Sequence, residues 1–169
     1  MKDDLQEKVE NWLGLLGCQP RVQDDPDSSW HLVFNYPSST QHLMNAVRPK
    51  GENKPVVIVT RTNVDEGHRS KFAELDDDAK EDFLWQLRRT MNSVEVDFKV
   101  EGVDGPLTCP TAFQLSLARF EDGLTLDSFA QSVGKVFKTE LNAVWVFQEH
   151  FKPNNGGRGP RFDFKKFGL

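Results

Sequence analysis

The chain has 169 residues, a formal net charge of −5 and 37% hydrophobic residues, among them 13 Phe and four Trp. That is one domain's length with enough apolar material for a real core. It holds no uncharged apolar run of about 18 residues, so no transmembrane span is expected.

Met1-Lys2-Asp3-Asp4 lacks a basic region followed by an apolar stretch, so no signal peptide is expected. The two cysteines, Cys18 and Cys109, fall far apart in expected loops. That pattern fits a reducing, cytoplasmic location and not a disulfide framework. The charge is uneven. Residues 152–169 carry five Lys/Arg and one Asp, a surplus of +4, against 16 basic and 25 acidic residues, or −9, in the rest. An acidic body repels phosphate, which argues against general nucleic-acid binding.

Asp3 or Asp4 can cap a first helix whose buried face is Leu5, Val9, Trp12, Leu13 and Leu16, with Gly17 as its stop. A polar loop, 19–29, follows. Trp30, Leu32, Phe34 and Tyr36 alternate with His31, Val33 and Asn35, which predicts a strand. After the turn Pro37-Ser38-Ser39-Thr40, a weaker strand is expected over 41–47. Pro55–Thr62 carries four consecutive branched apolar residues, the mark of a central strand.

Residues 65–75 read as a short helical turn leading into a second helix. Asp76-Asp77-Asp78 start that helix, Phe83, Leu84, Leu87 and Met91 form its buried face, and Arg88 and Arg89 close it, each charge suited to its end of the dipole. Val94, Val96, Phe98 and Val100 alternate with charged residues, as in a strand with one wet face at a sheet edge. A Gly/Pro loop, 102–110, leads to a last strand over 111–120, with Phe113, Leu115 and Leu117 on one face.

Thr125 is the expected N-cap of a closing helix to about Phe151, with Leu124 and Phe129 at the hydrophobic-staple positions. Leu126, Phe129, Val133, Val136, Phe137, Leu141, Val144, Trp145 and Phe151 make one stripe along it, and the stripe widens over Ala143–Phe147. The remaining residues, 152–169, form a basic tail expected to be flexible when alone. The order is α-β3-α-β2-α. Hairpin-length links demand antiparallel pairing, so the expected fold is an α+β two-layer sandwich of residues 1–151, with an antiparallel five-stranded sheet and the helices on one face.

This order is similar to the type III secretion chaperone-like fold. Within it the chain resembles an uncharacterised, largely archaeal and bacterial family known only as a domain of unknown function. The resemblance rests on Val9 with Trp12-Leu13-Gly14, on Phe72, Leu75, Phe83-Leu84 and Leu87, and on Asp122-Gly123-Leu124-Thr125. It spans roughly residues 5–150 and implies a sheet in order 1-2-3-5-4. No catalytic residues come with that family. The secretion chaperones to which it is similar in fold are small, acidic and dimeric, and bind extended segments of other proteins. A likeness of fold is an analogy for function.

The residues themselves supply little catalytic equipment. The four histidines show no His-x-x-x-His or Glu-x-x-His spacing, and there is no Cys-x-x-Cys, so no metal site is expected. A turn near Ser38 places His31 opposite a residue near 46, away from His42. Cys109 has no basic neighbour to activate it, and no phosphate-cradling Gly loop is present. The Asp clusters are explained by a helix start, a loop and a turn.

These readings point to a non-enzymatic protein-binding module without a cofactor, chaperone-like and dimeric. Val144, Trp145, Val146 and Phe147 are its expected self-association or partner surface, unless the chain's own strands or tail wrap them. The tail residues Arg158, Arg161, Phe162, Phe164 and Phe167 are expected to make contacts of their own. They can bind RNA by charge and stacking, the alternative function. They can also dock as an extended segment on this or a neighbouring sheet, or be a mere solubilising extension.

Overall fold

A computed structural model describes residues 3–92 and 95–151. Helix α1, Asp4–Leu15, starts where Asp3 accepts the amide of Leu5, and buries Leu5, Val9 and Leu13. The first alternating run becomes β2, Ser28–Asn35, after a two-residue strand β1, Arg21–Val22. Next come β3, Leu43–Pro49, and β4, Val56–Asn63. Two helices follow, α2, Glu66–Ala73, and α3, Asp77–Met91, each capped by an Asp that accepts an amide of its first turn. Strands β5, Asp97–Glu101, and β6, Ala112–Arg119, lead through a short 3-10 turn to α4, Leu126–His150.

All strand pairs are antiparallel and the sheet order is β1-β2-β3-β4-β6-β5. The α+β class and the order of the five longer strands are as expected. Among the described residues, the strand count is corrected from five to six, and a separate α2 raises the helices to four. β1 pairs Arg21 with Val33 and Val22 with Leu32. Two exposed residues leave no period to read, and their pairing is set by the partner strand. Asp65 turns the expected helical turn into a true eight-residue helix by capping His68.

The core lies between one sheet face and the helices. Trp30, Leu32 and Phe34, then Met44 and Ala46, then Val56, Ile58 and Thr60, then Phe113, Leu115 and Leu117 are buried, and the residues between them are not. That is the period-2 signature of a sheet covered on one side. From above, α4 adds Phe129, Val133, Val136, Ala143, Val146 and Phe147. Burying one such side chain contributes roughly 1.5–3 kcal/mol, so this layer is the main source of stability.

Candidate functional site

The expected surface residues divide by place. Val146 and Phe147 are buried inside this chain, at 5% and 4% exposure, whereas Val144 is half-buried against the core and Trp145 is 36% exposed. The cover over the widened stripe comes from α2, α3 and β6. Phe147 meets Phe83 of α3 edge-on at 5.0 Å, stacks parallel to Phe113 of β6 at 6.3 Å, and lies 5.8 Å from His68 of α2. Phe151 packs on Phe83 at 4.9 Å, and its carbonyl accepts from Lys71. Two flanking helices thus need a wider stripe than a sheet alone. The tail contacts, Arg158, Arg161, Phe162, Phe164 and Phe167, lie outside the described residues.

A buried polar cluster escaped the sequence reading. Glu140 of α4 is 4% exposed. Its Oε1 accepts from the Thr62 hydroxyl at the end of β4, and its Oε2 lies 2.7 Å from Nε2 of His42, which leads into β3. The Glu140–His42 approach has ion-pair distance, but its angle is not that of a hydrogen bond. Phe137 closes one side, 5.4 Å edge-on to His42 and 5.5 Å edge-on to Tyr36. The signal was present: Glu140 sits four residues after Val136 and three before Ala143, on the apolar stripe itself. A carboxylate at such a position needs partners, since an unpaired buried charge is costly.

Among the described residues, the opposite sheet face carries no helix. Val33, Val47, Val57 and Val59 lie half-buried on it, with Val47 directly opposite Val57. Polar groups frame this patch. His31 bridges Asp25 at 3.1 Å and Asn45 at 2.9 Å, and stands opposite Val47, with its ring on the other side of the sheet from that of His42. On the far side Arg61 grips both oxygens of Glu101, at 2.7–3.2 Å. The Ser28 hydroxyl, then the Asp27 amide and His31, hold the Asp25 carboxyl below its usual range. Arg61 does the same for Glu101 by hydrogen bond and charge, and is itself raised by that partner.

Surface grooves among the described residues include the following two. One, of about 610 Å³, is lined by Arg48, Asn53, Lys54, Phe120, Glu121 and Asp122. There Arg48 is already held by Asp3 at 2.9 Å and Glu121 at 3.1 Å. The other, of about 570 Å³, lies beside Asp82, Trp85, Arg89 and His150, with the Arg89 guanidinium 5.8 Å from the Trp85 ring. Burial pushes the Cys109 thiol up to about 11 and raises that of Cys18. At neutral pH such groups are protonated and poor nucleophiles. Among the described residues no three His, Cys, Asp or Glu side chains converge, and no helix is long and apolar enough to cross a membrane.

The fold defines an α+β domain with a one-sided antiparallel sheet. Residues 5–147 match the family described as uncharacterized conserved protein (DUF2299), and the chain belongs to it. It is similar to a solved structure, that of an uncharacterized protein from Methanothermobacter thermautotrophicus. The two share 29% identity with a TM-score of 0.78, over 86% of this chain and 98% of the other. No curated protein matches the chain.

Proposed function

We propose that this protein is a non-enzymatic, cytoplasmic protein-binding module that acts as a homodimer and holds an extended segment of another protein, as the type III secretion chaperones do. The observation behind this reading is the sheet face that no helix covers among the described residues, with four half-buried valines at its centre. A second copy is its occupant. Strands about 4.8 Å apart, with about 3.3 Å per residue, give the six strands, which run from two to eight residues, a face of roughly 600 Å². Stable dimers bury about 800 Å² per partner, so the face and its rim fit that requirement. Two such faces stack as a sheet-on-sheet sandwich.

Light scattering on the eluting protein tests the dimer. The expected mass is twice the chain's 19.3 kDa. Val57→Lys, or Val33→Lys on the neighbouring row, should yield a monomer with unchanged circular dichroism. A wild-type monomer at about 100 µM, far above the Kd of a specific dimer, rejects the dimeric reading. The holding activity is read with reduced insulin, whose aggregation an equimolar amount of the protein should delay. No delay rejects that half of the proposal.

A further inference from the structure

β5 is the outermost strand of the sheet, with Asp97, Lys99 and Glu101 on the open face and Phe98 and Val100 on the helix face. The register sets those faces: Phe98 pairs with buried Leu115 and Val100 with buried Phe113. Half of the amides and carbonyls of an edge strand point away from its neighbour, ready to pair with another strand. The residues of β5 read acidic, apolar, basic, apolar, acidic. Residues 161–165 read Arg-Phe-Asp-Phe-Lys, the charge complement of that pattern with the same alternation.

We propose that residues 161–165 of this same chain add to the outer edge of β5 as a seventh strand. In an antiparallel register Arg161 stands beside Glu101, Asp163 beside Lys99 and Lys165 beside Asp97. A parallel register exchanges the outer two pairs and keeps every pair opposite in sign. Phe162 and Phe164 then fall beside Val100 and Phe98, on the face that the helices cover. Cross-strand pairs of these kinds are the ones that stabilise sheets, and like charges there oppose pairing. Asp97 and Lys99 are exposed, while Glu101 shares its carboxylate between Arg61 and the new arginine.

The described residues also end at a suitable place. Phe151 follows Phe147 by one helical turn, and Phe147 stacks on Phe113, the direct partner of Val100 on β5. The nine residues 152–160 include three Gly and two Pro and reach up to about 30 Å. That exceeds two strand spacings, from β6 past β5 to the new strand, plus one layer, about 20 Å in all. The occupied surface is distinct from the valine face, so this inference stands or falls apart from the dimer. Where the protein does hold a partner segment by strand addition, residues 161–165 are a built-in competitor for it.

Full-length protein and trypsin test the proposal through cleavage after Arg161 and Lys165. The expected rate is at least about tenfold slower in the wild type than in Phe162→Ser/Phe164→Ser, whose changes lie outside the described residues. Lys99→Glu should speed cleavage two- to fivefold, and adding Asp163→Lys should return it to the wild-type rate. Protection independent of protein concentration supports attachment within one chain. Protection that appears only on concentrating the protein assigns the segment to a second copy and overturns the proposal. Equal cleavage rates in the wild type and Phe162→Ser/Phe164→Ser overturn it as well.

Discussion

At the scale of single residues, Glu140 is the position where chemistry and packing meet. It occupies a core position of α4, 4% exposed, accepts from a hydroxyl of β4 and lies 2.7 Å from an imidazole at the entry to β3. The three groups tie two strands to the helix that covers them. Removing one partner of a buried pair costs about 3–5 kcal/mol because the other is left stranded. His42 keeps 23% exposure, so His42→Ala should cost less, about 2–3 kcal/mol, in urea unfolding followed by tryptophan fluorescence. Replacing both members, His42→Leu with Glu140→Leu, should recover most of that loss. Additive costs in the double variant would show that the two groups do not interact. The stripe position of Glu140 was legible in the sequence. Its partners were not, because Thr62 and His42 lie 78 and 98 residues away and only the sheet register unites them.

At the scale of elements, α4 shows how a stripe reports the number of its partners. Its first half covers the sheet and meets α1 through Phe129 and Trp12, whose rings lie 5.7 Å apart, and its N-terminus is held by reciprocal bonds between Thr125 and Ser128. Its second half meets α2, α3 and β6 at once, through the rings of Phe83, Phe113, Phe147, Phe151 and His68. Widening of the stripe over Ala143–Phe147 was visible in the sequence, but the choice between a second subunit and the chain's own strands or tail was not, and cover by α2 and α3 was not foreseen. Phe147→Ala removes a 4% exposed ring from that cluster and should cost about 3–5 kcal/mol in the same unfolding assay. A loss below about 1 kcal/mol would mean that the cluster closes over the gap or is not packed as described. The long strands were read because alternation over eight residues is hard to mistake. β1 was missed because two residues carry no alternation.

At the scale of the molecule, Asp25, Asp65, Glu95 and Glu101 lie at joints between elements, and each titrates below its ordinary range. Ser28, the Asp27 amide and His31 lower Asp25, and the His68 amide lowers Asp65 at the start of α2. Lys135 on α4 lowers Glu95 before β5, and Arg61 on β4 lowers Glu101 on β5. A carboxyl whose folded value lies below its unfolded one binds protons more readily when unfolded. Its contribution to stability is therefore complete above the unfolded value, near 4, and is lost as pH falls through the lower folded value. The urea midpoint should accordingly stay level on this account from pH 7 to about 5 and fall steadily toward pH 2. In Glu101→Gln the midpoint should start lower at pH 7, since the Arg61 bond is weakened, and should fall less steeply below pH 4. Added salt should narrow the difference between the two proteins at pH 7, because the pair is solvent-accessible and screened. A midpoint that rises between pH 5 and 3, or a variant as steep in acid as the wild type, would show that these joints are not held by their ionised carboxylates.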